Sequence, residues 1–109
     1  MKQTVLETYL TEHALECTFV ESKELRLPLQ SSLRLIDVRE SHEYDALRIE
    51  GAVSIPRGRL EMDVERLAGP IETPLVVVCK SDLRARMASI TLQRMGYLSV
   101  RVLRGGMDA

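Results

Sequence analysis

The sequence predicts an α/β domain with a mostly parallel sheet, and three observations carry that expectation. Residues 74–79, PLVVVC, are a continuous apolar run between a proline and a polar loop, the pattern of a strand covered on both faces. LRLIDV (33–38) is a second run of branched apolar residues that ends in a polar cluster, Asp37, Arg39 and Glu40. Segments with helical spacing of apolar residues alternate with these runs, which is the order of a βα protein.

Taken in order, Val5, Leu6, Tyr9, Leu10, His13 and Ala14 define an amphipathic helix over 4–16. Thr18 to Val20 is a short strand, and a helix begun at a Ser22 cap is interrupted by Pro28. After the 33–38 strand, Ser41 caps a helix over 41–47. GAVSIP (51–56) is a turn and a short strand stopped by Pro56. Residues 57–68 place Leu60, Val64 and Leu67 along one helical face, ended by Gly69-Pro70. The 74–79 strand leads into a helix over 84–95 with Ala85, Ala88, Leu92 and Met95 on one face and Gly96 at its C-terminal cap. VRVL (100–103) is the last strand, followed by Gly105-Gly106.

The chain's 109 residues suit one domain, and 45% apolar with 28% charged residues is ordinary globular composition. No apolar run nears the roughly 20 residues of a spanning helix, so no membrane role is expected. Glu7, Glu12 and Glu16 interrupt any secretory h-region, which makes the cytoplasm the expected location. Cys17 and Cys79 fit no CxxC or zinc spacing and are read as free thiols, with Cys17 a packing or surface group. His13 and His42 lack ligand-like partners, so no metal is expected. The net charge is -1, yet from Cys79 to Arg104 the charges are Lys80, Asp82, Arg84, Arg86, Arg94, Arg101 and Arg104. That segment favours an anionic ligand or is a solvated helix face. The scarcity of aromatic residues argues against nucleic acid.

Ligands of open parallel sheets bind beyond the carboxyl ends of the strands, where both polar clusters fall. A strand ending at Cys79, a short loop and a helix starting near Arg84 would aim backbone N–H groups and the positive helix end at the sulfur. With Lys80 and Arg84 they would favour the thiolate, the nucleophilic form. The competing reading makes Cys79 the small apolar last residue of a core strand. Asp37 and Arg39 either orient the Cys79 loop or brace their own strand end. Arg57 and Arg59 point to the same edge, as surface groups or as anion contacts.

LIDVRESHEY (35–44), GAVSIP (51–56), VVVCKSDLRA (76–85), GY (96–97) and LRGGM (103–107) together resemble a rhodanese homology domain of the single-domain sulfurtransferase type. The resemblance runs from about 33 to 107 and is weaker over 1–32, which would be an N-terminal helical extension of a single domain spanning 1–109. It implies a three-layer α/β fold with a mostly parallel central sheet flanked by helices. It also implies sulfur transfer from thiosulfate or a similar donor to cyanide or a thiol through a Cys79 persulfide. In that family the loop amides stabilise the persulfide, and the arginine closing the loop, here Arg84, shapes and charges it. The loop residues are then Lys80, Ser81, Asp82, Leu83 and Arg84, with Asp37 and Arg39 in support. The expected partners are a small anionic sulfur donor and a thiol acceptor, a protein acceptor included, with no cofactor. Four residues lie between Cys79 and Arg84, whereas the related dual-specificity phosphatases have five; Ala85 stands at the phosphatase position, and Arg86 lies one residue too far on.

Three positions depart from the pattern. Asp82 replaces a frequent glycine, which adds a negative charge and strain if the backbone there needs positive φ. Leu47-Arg48-Ile49-Glu50-Gly51-Ala52 lacks a frequent histidine and proline. A helix with a tryptophan usually follows the glycine pair, whereas this chain stops at Ala109, so either that helix is missing or the N-terminal helix takes over its packing. These departures sustain the alternative of a non-catalytic binding or regulatory module.

Overall fold

The computed structural model describes residues 3–13, 17–25 and 32–108. Pro28 and the expected end of the first helix, residues 14–16, lie outside the described residues. Strands β1 (Thr18–Val20), β2 (Arg34–Asp37), β3 (Val53–Ser54), β4 (Leu75–Val78) and β5 (Val100–Leu103) form one parallel sheet in the order β1-β5-β4-β2-β3. Helices α1 (Val5–Glu12), α2 (Ser41–Ala46), α3 (Leu60–Ala68) and α4 (Leu83–Arg94) complete the α/β domain. None of the described helices is long and apolar enough to cross a membrane.

The two-residue period of the strands divides the core. Ile36, Val38, Leu75, Val77, Val100 and Val102 face α3 and α4, where Leu60, Val64, Ala68, Ala85, Ala88 and Leu92 meet them. Leu35, Val76, Val78, Val20 and Leu103 face the opposite side, covered by Leu25, Leu33, Tyr44, Ile49 and Met107. Residues 75–78 are all 0% exposed, as a central strand covered on both faces must be. Cys79 continues the 75-77-79 step, so its side chain points toward α4. Ala85 and Ala88, small and fully buried, let that helix approach the sheet closely.

Several local expectations need correction. Leu67 is 38% exposed, and the buried stripe of α3 is Leu60, Val64 and Ala68, spaced four apart. Met95 is 42% exposed because it lies past the last turn of α4, leaving Ala85, Ala88 and Leu92 as the packed face. Arg57–Arg59 form a separate 3-10 turn before α3. Ser41 is the first helical residue of α2, and Glu40 holds the cap position, its N–H donating to the Glu43 carboxylate at 2.9 Å. The Ser22 segment is a single 3-10 turn, Ser22–Glu24. α1 lies toward the C-terminal end of α4, where His13 Nδ1 is 3.3 Å from Arg94 Nη2.

Candidate active site

β4 sits between β5 and β2, and its carboxyl end opens into Lys80, Ser81 and Asp82 before α4 begins at Leu83. Cys79 is 1% exposed, and its Sγ accepts a hydrogen bond from the Ala85 N–H at 3.4 Å. The sequence led us to expect several amides at the sulfur; one reaches it. The others keep open donors: among the described residues, none accepts a hydrogen bond from the backbone N–H of Lys80, Ser81, Asp82, Leu83 or Arg84. Five successive unsatisfied donors at the head of a 12-residue helix make a region that favours negative charge. Lys80 and Ser81 are exposed, and Leu83 is 39% exposed, so the loop faces solvent while its sulfur lies beneath it.

Asp82 is not strained. Its φ is -164°, extended backbone open to any residue, and among the described residues only glycines have positive φ. It occupies the N-cap of α4, its carbonyl accepts from the Arg86 N–H at 2.8 Å, and its side chain makes no capping bond. The carboxylate is therefore an added charge at the loop without a capping role.

Arg84 pairs with Glu43 on α2, with Nη1 donating to Oε2 at 2.9 Å and Nη2 to Oε1 at 3.2 Å. The pair ties the first turn of α4 to α2. Hydrogen bonding to Arg84, then to the Glu40 N–H, lowers the Glu43 carboxyl from 4.5 to about 2. The Glu43 carboxylate in turn raises Arg84 above its ordinary value, with a smaller contribution from the Cys79 sulfur, against a burial penalty. Sequence reasoning missed Glu43. Its only signal was the three-residue spacing from Glu40 that marks a helix start, and nothing in that spacing points 41 residues ahead to Arg84.

Asp37 and Arg39 form a buried pair, 0% and 6% exposed. Arg39 Nε donates to Oδ1 and Oδ2 at 3.0 and 3.1 Å, and Nη2 donates to Oδ2 at 2.7 Å and to the Leu47 carbonyl at 2.6 Å. The Asp37 bond raises the Arg39 pKa most, burial opposing it. Every one of these hydrogen bonds stays within residues 37–47, and the pair makes none to the Cys79 loop. Arg57 pairs with Glu61 and Thr91, and Arg59 with Asp63, so both cations are engaged within the α3–α4 layer. Gly106 also belongs to the site: Met107 and Asp108 just beyond it donate their N–H groups to the Cys79 and Lys80 carbonyls at 2.8 and 2.9 Å.

A family model described as a rhodanese-like domain matches residues 21–109. The putative sulfur carrier protein YrkF of Bacillus subtilis is 32% identical over 81 residues, covering 74% of this chain and 43% of that protein. The chain thus spans less than half the length of that relative. Among solved structures, the human single-domain sulfurtransferase TSTD1 aligns with a TM-score of 0.73 and 29% identity over 83% of this chain and 91% of its own. A Rhodopseudomonas palustris protein of unknown function, described as a possible tyrosine phosphatase, aligns with a TM-score of 0.80 and 26% identity over 98% and 91% of the two chains.

Proposed function

The chain belongs to the rhodanese-like domain family, and on that premise we propose that it is a sulfurtransferase that carries sulfane sulfur as a persulfide on Cys79. The observation that carries this reading is the Ala85 N–H at the Cys79 sulfur, set within a loop whose five preceding amides have no acceptor among the described residues. With thiosulfate as donor, the Cys79 thiolate attacks the outer sulfur. The new S–S bond forms as the bond to sulfite breaks, and sulfite leaves with the electron pair. A thiolate or cyanide then attacks the terminal sulfur of the persulfide and leaves with it, regenerating the Cys79 thiolate. The open amides of residues 80–84 supply the electrostatic stabilisation of the anionic persulfide. In this reading residues 1–109 act as one domain, in the cytoplasm, where thiols stay reduced.

Four residues between Cys79 and Arg84 make a smaller ring than phosphate needs, which favours sulfur over phosphate esters. A second reading, a rhodanese-like binding or regulatory module without turnover, draws support from the 1% exposure of Cys79 and from Glu43 neutralising Arg84. Intact mass after incubation with thiosulfate separates them. Sulfur transfer predicts a gain of ~32 Da that dithiothreitol removes and Cys79→Ser abolishes. A folded protein that gains no mass at Cys79 is the module. Hydrolysis of a phenyl phosphate without sulfur loading would overturn the ring-size reasoning.

A further inference from the structure

We propose that the C-terminal turn at Gly105–Asp108 is the positioning element that turns the amides of the Cys79 loop toward the bound sulfur, a proposal that rests on Cys79 being the sulfur-carrying thiol. β5 ends at Leu103, and Gly105 and Gly106, at φ +77° and +57°, fold the chain back against the loop. There the Met107 N–H donates to the Cys79 carbonyl at 2.8 Å and the Asp108 N–H to the Lys80 carbonyl at 2.9 Å. A Cβ on Gly106 would collide with the carbonyl oxygens of Cys79 and Ser81 and lie 2.9 Å from the Lys80 carbonyl carbon. Three consecutive carbonyls, those of 79, 80 and 81, therefore converge on this one turn.

A trans peptide is planar, so each carbonyl and the N–H of the next residue point in opposite directions. The hydrogen-bonded carbonyls of 79 and 80, and the Ser81 carbonyl that lies against Gly106, face the turn, which directs the N–H groups of Lys80, Ser81 and Asp82 to the other side of the loop. These are three of the five amides without an acceptor among the described residues. Without that anchor, each peptide unit is free to rotate and present an oxygen where an anion must sit. Glycine at 106 is required twice, by its left-handed φ and by the contact with the carbonyls. Met107 also packs its side chain against the Val76 and Val78 face, which fixes the turn to the sheet.

The test uses Met107→Pro, which removes the N–H donated to the Cys79 carbonyl, and a chain ending at Gly106, both in a Cys17→Ser background so that one thiol is read. Alkylation by iodoacetamide is followed at pH 7. Lost amide orientation should slow the reaction about fivefold, because fewer backbone N–H groups then face the negative charge at the sulfur. A merely structural effect does the opposite, because loosening around a residue that is only 1% exposed speeds alkylation. Native hydrogen exchange of the unmodified chain reads the anchor without a variant: the Met107 and Asp108 amides should be protected, and those of Lys80, Ser81 and Asp82 should gain protection after thiosulfate loading. Unchanged or faster alkylation at pH 7 in folded variants, or Met107 and Asp108 amides exchanging as fast as those of residues 80–82, would overturn the proposal. If thiosulfate leaves no mass adduct, the sulfurtransferase reading fails, while the alkylation and the Met107 and Asp108 exchange still decide the anchor.

Discussion

Replacing Glu43 by glutamine should remove a charge-dependent part of the stability that is visible at neutral pH and absent in strong acid. Glutamine keeps the size and an acceptor for the Glu40 N–H, so the change isolates the charge facing Arg84. Arg84 first, then the Glu40 N–H, hold the Glu43 carboxyl at about 2 instead of 4.5. At about 1.4 kcal/mol per pH unit that displacement would be worth about 3 kcal/mol. The Arg84 and Glu43 side chains are 35% and 25% exposed, and solvent screening reduces the expected contribution to about 1–2 kcal/mol. Because the folded chain binds this proton more weakly than the unfolded chain does, the contribution is complete above the unfolded value near 4.5. It disappears as pH falls through the folded value near 2. Urea unfolding of both proteins from pH 7 down to pH 2 is the assay, with a gap of about 1–2 kcal/mol at pH 7, or about 4–10 °C in Tm. A gap of equal size at pH 7 and pH 2, or none at pH 7, would refute the assignment of Glu43 as the partner that holds Arg84.

Asp82→Gly should raise kcat/KM with thiosulfate about three- to tenfold in a steady-state assay, since it deletes a negative charge beside the loop amides and no capping bond. An unchanged or lower value would show that Asp82 does not hinder an anionic donor. Arg39→Ala strands the fully buried Asp37 carboxylate and should cost about 3–5 kcal/mol in urea unfolding; a loss below about 1 kcal/mol would mean that the pair does not brace residues 37–47. Leu60→Ala, at a 0% exposed position, should cost about 2–5 kcal/mol, whereas Leu67→Ala, 38% exposed, should stay within about 0.5 kcal/mol. Equal losses at the two positions would restore Leu67 to the buried face.

The strands were legible because burial on both faces leaves its mark on consecutive residues. Leu75 to Val78 have no polar position to spare, and the sequence shows none. Helix faces were less legible. At α3 both Val64 and Leu67 match helical spacing from Leu60, and whether the stripe continues through Leu67 or Ala68 depends on where the sheet lies, which is tertiary information. The candidate site divides in the same way. Cys79 and the amides after it are local, so strand, loop and helix signals located them. Glu43 meets Arg84, and Met107 and Asp108 meet Cys79 and Lys80, across 41 and 28 residues, and no local period encodes such encounters. Asp82 is a different case. The expectation of strain took glycine's usual presence as evidence of positive φ, whereas the backbone there is extended and the residue's effect is its charge alone.

Sequence alone set a core cysteine against a reactive one as alternatives, and the register of β4 places Cys79 in the core while setting a helix-head amide against its sulfur. Cys79 is in step with Leu75 and Val77, so its side chain joins the layer beneath α4. α4 begins directly after the loop, and the same step that buries the sulfur places it 3.4 Å from the Ala85 N–H. What the loop offers an anion there depends on how many of its open amides face the sulfur. The carbonyl anchors at Met107 and Asp108 act on that count, which is why a turn 28 residues along the chain bears on the chemistry of Cys79. Under the proposed function, the sulfur of a residue only 1% exposed also admits only a slender reactant. The terminal sulfur of thiosulfate or of a persulfide can reach it end-on, whereas a reactant bulky at the reacting atom cannot. A series of alkylating agents of equal intrinsic reactivity but growing width should therefore lose rate at Cys79 far more steeply than at a free thiol such as dithiothreitol, and parallel losses would show that the sulfur is open to the side.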